Sequence, residues 1–280
     1  MNPDFSIITP SYNMLDYLKR CRRSVADQEG VTVEHLVIDG GSTDGTAQWL
    51  AQRPHLHSLS EPDRGMYDAL NKGLDRARGS IVAYLNCDEQ YLPETLSLVK
   101  YVFDRCPDVD LLFGDALLIR PDNSLIAYRK AYQPRWFYIL ASHLYVLSCT
   151  MFFRRTILDE GFRFDTQLKT IGDQDFVTRL LQHGYRASYV KGYLSAFTMT
   201  GQNLGGDETT TTEMRQALDA APWWVRAFKF PLNLARLGEK LLSGAYYATM
   251  PLYYALYASA DDAERQVYSA SKASSLWKSR

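Results

Sequence analysis

The chain reads as an α/β protein, with a mixed but mainly parallel sheet flanked by helices and a helical appendage at the C-terminus. Three observations lead there. Strand-like runs at 5–9, 33–38, 57–60 and 81–85 alternate with helical segments through the first hundred residues, the pattern of a parallel sheet covered on both faces. The joints between them are short. Polar residues follow three of these runs at once, at Tyr12/Asn13, Asp39 and Asp88, and the carboxyl ends of strands are where an open sheet holds its ligand.

Residues 5–9 form the first strand, halted by Pro10, with Ser-Tyr-Asn at 11–13. Helical spacing over 15–26 puts Leu15, Leu18, Cys21 and Val25 on one face and Lys19, Arg20, Arg22 and Arg23 mostly on the other. Strand 33–38 ends in a Gly-rich turn at 39–46, where Asp44 is a cap for the helix that runs to 52. Strand 57–60 leads through Glu-Pro-Asp-Arg-Gly at 61–65 into helix 66–77, which Gly79 breaks. The strand at 81–85 turns polar at Asn86, Asp88 and Glu89, and Pro93 opens a helix to 105. A strand at 110–119 and a turn at 121–124 suggest a hairpin. Residues 132–148 are aromatic and nearly uncharged, with helical character. A strand at 150–153, a helix at 173–183 and a strand at 188–190 follow, then a Gly- and Thr-rich stretch at 201–212 expected to be a mobile loop.

With 280 residues and 46% hydrophobic content the chain buries a core without staples. A net charge of −1 gives no basic field to recruit nucleic acid. Four cysteines, far apart and without a Cys-x-x-Cys pair, argue against a zinc site and fit reduced thiols. No signal peptide is read at the start, so a cytoplasmic location is expected. From Pro222 the composition shifts. Trp223, Trp224, Phe228 and Phe230 alternate with Arg226, Lys229, Arg236 and Lys240, and 241–257 carry no charge. Gly244, Pro251 and five tyrosines argue against a span across a membrane. An interfacial anchor over 222–258, on the inner face of the cell membrane, and a packed helical appendage are the two readings left.

Asn86 and Asp88, two apart across a turn, can aim oxygens at one hard divalent cation that keeps other positions for water and phosphate. The plainer reading is a strand ending in an acidic, helix-capping turn. Arg64, just before Gly65 and a helix start, suits a pyrophosphate, or else a surface pair with Glu61 or Asp63. Asp68 and Asn71 lie three apart on one helix face, and Asn71 is out of place in an apolar stripe; both are read as pocket lining, directly or through supporting hydrogen bonds. Asp173, at a helix start with Asp175 behind it, reads as a catalytic carboxylate or as an N-cap.

Four segments occur in order: Ile-Ile-Thr-Pro-Ser-Tyr-Asn at 7–13, Val-Ile-Asp-Gly-Gly-Ser-Thr-Asp-Gly-Thr at 37–46, Asp-Arg-Gly-Met-Tyr-Asp-Ala-Leu-Asn-Lys-Gly at 63–73 and Leu-Asn-Cys-Asp-Glu at 85–89. Together they resemble the family 2 inverting glycosyltransferases of the GT-A fold, of the kind that build bacterial cell-surface polysaccharides. The resemblance spans roughly residues 5–190. It implies a Rossmann-like catalytic domain over 1–215, with a nucleotide-binding half at 1–105 and an acceptor half at 106–215, ahead of an amphipathic helical tail at 216–280. It implies a UDP- or GDP-linked sugar donor and a Mn²⁺ or Mg²⁺ ion. Pro10, Tyr12, Asn13 and Asp39 fall at the nucleotide. Arg64, Asp68, Asn71 and Asn86 fall along the rest of the donor, Asp88 at the metal and Asp173 at the catalytic base, with Asp175 as the fallback. Asn86 stands where the family has Asp, and Gly172 where it usually has Glu. The aromatic stretch 132–145 falls where the family meets its acceptor, expected to be a glycan or a polyprenyl-linked sugar. The rival readings are a catalytically silent nucleotide-sugar-binding protein, and a sugar nucleotidyltransferase, whose Gly-rich basic phosphate loop the segment at 10–13 lacks.

Overall fold

The computed structural model describes residues 2–201, 203 and 208–275. Its first half follows the expected alternation: β1 (Phe5–Ser11), α1 (Leu15–Ala26), β2 (Val33–Asp39), α2 (Thr46–Ala51), β3 (His57–Ser60), α3 (Met66–Leu74) and β4 (Ile81–Tyr84). These four strands pair in parallel in the order β3-β2-β1-β4. Every residue of β1 and β4 is buried, as expected of strands covered on both faces. Gly73 lets α3 lie close on β1, since a Cβ there would stand 2.4 Å from the Ile8 side chain. On α1, Leu18, Cys21 and Val25 face inward as the spacing predicts. Arg20 departs from it. The residue is buried, its guanidinium over the Tyr17 ring and donating to the Ala258 carbonyl at 3.3 Å.

The second half contains β5 (Glu89–Tyr91), α4 (Thr95–Arg105), β6 (Leu111–Ile119), β7 (Leu125–Arg129), α5 (Trp136–Ala141), a 3₁₀ turn at Ser148–Thr150, β8 (Phe152–Arg154), α6 (Thr156–Asp159), α7 (Gly172–His183), β9 (Ala187–Thr198) and α8 (Glu208–Asp219). Here the sheet becomes mixed. β8 runs antiparallel between β4 and β6, β6 is parallel to β9, and β7 flanks β6. β5, read in sequence as part of a turn, pairs antiparallel with β9 at the far end of the sheet. The turn at 85–88 therefore carries the chain from one half of the sheet to the other. Apolar clusters cover both faces, one under α3 and α7 and one under α1 and α4.

Three expectations need correction. The stretch at 132–148 is helical only over α5. The expected loop at 201–212 has 208–212 inside α8; its residues 202 and 204–207 lie outside those described. The tail is helical only through α9 (Trp223–Ala227) and α10 (Lys229–Leu242). The uncharged stretch beyond enters β10 (Leu252–Leu256), which with β11 (Gln266–Ala270) forms an antiparallel hairpin. Leu252, Tyr254 and Leu256 bury against Leu117, Ile119, Tyr128 and Ala196 of the main sheet. Their spacing of two is a strand pattern, and burial of that one face outweighs helix formation. Among the described residues no helix is long and apolar enough to cross a membrane.

Candidate active site

The loops after β1, β2 and β4 converge at one edge of the sheet, and side chains stitch them together. Asn13, at a left-handed φ of 52° that Asn tolerates, donates its backbone N–H to Ser42 Oγ at 2.8 Å and accepts from the Thr43 N–H at 2.8 Å. Pro10 is buried within β1. Tyr12 stands out from this loop with 64% of its surface exposed, an open aromatic face. Asp44 bonds the Thr46 N–H and hydroxyl and the Leu15 N–H, the cap expected of it.

Asp39 has no exposed surface. Its carboxylate accepts from the N–H and hydroxyl of Ser42 and, at 2.6 Å, from the Ser60 hydroxyl, so it braces the β2 turn against β3.

On α3, Asp68 holds Arg64 by a 2.9 Å ion pair and accepts its backbone N–H. Neither Glu61 nor Asp63 takes that part: Glu61 pairs with Lys72 and Asp63 accepts from the Gly65 N–H. The Arg64 side chain is 76% exposed, steered but open to a ligand. The Asn71 amide both donates to and accepts from the Phe164 backbone at 2.9 Å, so what it supplies here is supporting hydrogen bonds. The Phe164 ring so held stacks on Tyr67 and Phe176 and meets Tyr84 edge-on.

The turn between β4 and β5 carries the acidic cluster. Glu89, wholly buried, accepts from the Asn86 backbone N–H at 2.7 Å and from Asn86 Nδ2 at 3.2 Å. Asn86 Oδ1 is then a buried acceptor with no partner among the described residues. Asp88 beside it accepts from Asn203 Nδ2 at 3.1 Å. Burial pushes the Asp88 carboxyl up, opposed by its own backbone N–H, the Asn203 amide and the charge of Arg20. Burial pushes Glu89 up as well, and the charges of Asp88 and Asp173 push it further, so the three carboxyls share one electrostatic neighbourhood.

Asp173 opens α7. One carboxylate oxygen accepts the Gln174 N–H at 2.8 Å, and its own N–H points at Tyr67 Oη at 3.4 Å. Burial, offset in part by backbone N–H groups, raises its carboxyl to about 6, within reach of general-base work near neutral pH. Asp175, the fallback, is committed to Arg179 at 2.7 Å. The missing family Glu at 172 has a steric reason: a Cβ on Gly172 would lie 2.6 Å from the Tyr67 ring. The sequence reading missed Glu213, a buried α8 residue whose carboxylate collects the N–H groups of Lys169, Thr170 and Ile171 and the Thr170 hydroxyl, seating the loop before Asp173. It also missed Gln174, whose Oε1 accepts the Leu144 N–H. Glu89 stood in plain view in the turn, but its pairing with Asn86 depends on backbone geometry that residue types do not disclose.

The donor set suits a hard divalent cation. Asn86 Oδ1 is unspent and Asp88 offers a carboxylate, and an ion such as Mg²⁺ or Mn²⁺ is held by one or two carboxylates together with substrate phosphates and water. Among the described residues no group of three or more His, Cys, Asp or Glu forms a self-sufficient cage.

A curled, mostly parallel sheet of this order, with its acidic turn at the crossover and a carboxylate at a helix start across from it, defines a glycosyltransferase of the GT-A fold. The family model "Glycosyl transferase family 2" matches residues 6–162, and the chain belongs to that family. It is 27% identical over 257 residues to a PGL/p-HBAD biosynthesis glycosyltransferase of Mycobacterium bovis, covering 87% of this chain and 94% of the relative. Among solved structures it resembles S. aureus TarS in complex with UDP-GlcNAc, at 20% identity and a TM-score of 0.58, over 85% of this chain and 73% of that one. It also resembles the mannosyltransferase PcManGT of Pyrobaculum calidifontis in complex with GDP-Man and Mn²⁺, at 21% identity and a TM-score of 0.52, over 87% and 76%.

Proposed function

We propose that the protein transfers a sugar, with inversion and with the help of a divalent cation, from a UDP- or GDP-sugar to a hydroxyl of a glycan or lipid-linked acceptor at a membrane surface. The observation that carries this reading is the turn after β4, where, among the described residues, Asn86 Oδ1 is a buried acceptor without a partner and the Asp88 carboxylate, two residues on, takes a side-chain bond only from the Asn203 amide. Attack by an acceptor hydroxyl needs its proton removed as the bond to the anomeric carbon forms, and Asp173 takes that proton. Asp88 and Asn86 Oδ1 would hold the cation, which would supply positive charge against that of the departing diphosphate. Arg64, steered by Asp68, meets that charge from the open side, and the exposed Tyr12 ring receives the base. A base on one side of the carbon and the leaving group on the other give in-line displacement, with no covalent carboxylate intermediate. The neighbours solved with UDP-GlcNAc and with GDP-Man and Mn²⁺ support the donor class and the ion.

The test is release of UDP or GDP from a panel of donor sugars, with and without Mn²⁺ or Mg²⁺, by wild type and Asp88→Ala. Turnover restricted to one donor, raised by the cation and lost in Asp88→Ala, is the expected result. Cation-independent turnover, or an Asp88→Ala variant as fast as wild type, overturns the metal assignment. No release from any donor favours a silent nucleotide-sugar-binding protein.

A further inference from the structure

Helix α10 is packed inside out. Apart from Leu232, which packs on the cluster of Ala141 and Val225, its inward side is polar: Asn233 donates to the Ala141 carbonyl at 2.9 Å, Arg236 is buried with its guanidinium on Tyr132 Oη at 2.9 Å, and Glu239 takes a two-pronged bond from Arg135. Lys240 sits over the Tyr246 ring. Its outward side, after Lys229, consists of Phe230, Pro231, Leu234, Ala235, Leu237, Gly238, Leu241 and Leu242, without one polar side chain. Phe230 is 80% exposed and Leu234 63%. A soluble surface helix has the opposite arrangement, and a contiguous bare apolar stripe of this kind marks a surface that something covers.

Charge identifies what covers it. From Ala220 to Gly238 there is no carboxylate, while Arg226 and Lys229 are exposed beside the stripe and the exposed aromatics Trp223 and Phe228 border it. Apolar residues facing out, aromatics at their edge and cations alone among the charges match an anionic lipid surface. A second copy of this chain would set the same cations against each other with no carboxylate in the segment to pair them. With too little length to cross, the helix lies in the interface.

We infer that the outward face of α10, with Trp223 and Phe228, seats the protein on an anionic bilayer. This deepens the reading of a membrane-presented acceptor and rests on that part of it. The inward side of α10 rests on α5 and the irregular segment leading to it, and just beyond α5 the Leu144 N–H bonds Gln174, the neighbour of Asp173. The bilayer thus meets the molecule on the side of the catalytic base, where an acceptor sugar on a lipid carrier would be offered.

The experiment is flotation of the full chain with vesicles of phosphatidylcholine, with and without phosphatidylglycerol, for wild type, Leu234→Glu/Leu237→Glu and Arg226→Glu/Lys229→Glu. Nucleotide release from the soluble donor is measured in parallel, and the folded state checked by circular dichroism. Wild type is expected to float with the anionic vesicles and much less with the neutral ones. Each Leu→Glu change should weaken binding by roughly tenfold or more, and the charge reversal should abolish the preference for anionic lipid. Donor turnover stays unchanged in both variants, because these residues touch nothing at the cleft. Wild type that stays at the bottom, or a double Leu variant that floats as well as wild type, overturns the inference while leaving the transfer reaction standing. Concentration-dependent dimers in lipid-free buffer, dissolved by the Leu variant and unaffected by vesicles, overturn it in favour of a second copy.

Discussion

Glu89 accepts two hydrogen bonds from Asn86, one from the backbone N–H and one from the side-chain amide. The pair fixes which way the amide faces, turning the Asn86 oxygen away as an unspent buried acceptor. It also explains why an amide occupies a position where the family has Asp. A carboxylate at 86 would give up the amide donor that Glu89 accepts from and add a third carboxyl to a buried turn where burial already pushes Asp88 and Glu89 up.

Asn86→Asp is therefore expected to cost the metal-free protein about 1–3 kcal/mol, the scale for losing a buried donor and adding an uncompensated charge. Added Mn²⁺ should raise the melting temperature of the variant more than that of wild type, because a cation bound only by the folded state relieves the repulsion there. Thermal denaturation with and without Mn²⁺ checks this. An equal Mn²⁺ response in the two proteins would mean that residue 86 does not face the ion.

Asp173→Asn should keep donor affinity and lower transfer by about 10²–10⁴-fold, the scale for a general base. In wild type, kcat/KM should rise with pH to a plateau above an inflection near 6, since below it the carboxyl keeps its own proton. Stability runs the other way. A carboxyl raised from 3.8 to about 6 favours the fold most below 3.8, and that contribution is lost as pH rises through 6. At neutral pH Asp173→Asn should thus melt no lower than wild type, and any advantage should shrink toward pH 4. Paired pH–rate and pH–melting curves decide both points.

Gly172→Ala puts a methyl 2.6 Å from the Tyr67 ring. Overpacking of this kind costs about 1–3 kcal/mol. Because the ring stacks on Phe164, and its hydroxyl receives the Asp173 N–H, the rate should fall along with stability. Combining it with Tyr67→Leu, which clears the space, should cost less than the sum of the two single changes. Additive losses in a chemical-denaturation cycle would remove the steric account of Gly172.

What residue types and spacing disclosed were the features with a local cause. The parallel strands of the first half show as apolar runs, Asp44 as a cap, and the acidic turn after β4 as an abrupt change of polarity. What they concealed depends on distant partners. Asn71 is polar in an apolar stripe because the Phe164 backbone, far along the chain, needs both its hydrogen bonds met. Arg20 is buried because the Ala258 carbonyl and the acidic turn lie beside it. The Thr-rich start of α8 looks like a loop by propensity, and packing overrules it. The tail misled for a different reason: Leu252, Tyr254 and Leu256, two apart, serve a strand, but an uncharged run with five tyrosines resembles a membrane-facing helix until the sheet against which that strand buries is known.

Glu213 offers the last test, because it seats the loop before Asp173 without itself bonding to Asp88, Glu89 or Asp173. Burial pushes its carboxyl up, but the Lys169, Thr170 and Ile171 donors outweigh this and hold it below its ordinary 4.5. The stability it lends is present above that value and is lost as pH falls below it through the lowered one. Replacing it with Gln leaves the side chain's length but gives up one oxygen and puts an N–H toward backbone donors, a loss of about 1–3 kcal/mol. The loop it holds also carries Lys169, whose ammonium reaches the Arg64 carbonyl at 3.4 Å, so both the base and the cationic segment loosen together. Glu213→Gln should lower kcat by about tenfold, the kind of loss that follows misplacement of a catalytic group. The donor KM should change little, and the wild-type acid limb of the melting curve should flatten below pH 4.5. A variant with normal kcat and a lowered melting temperature would confine Glu213 to stability alone.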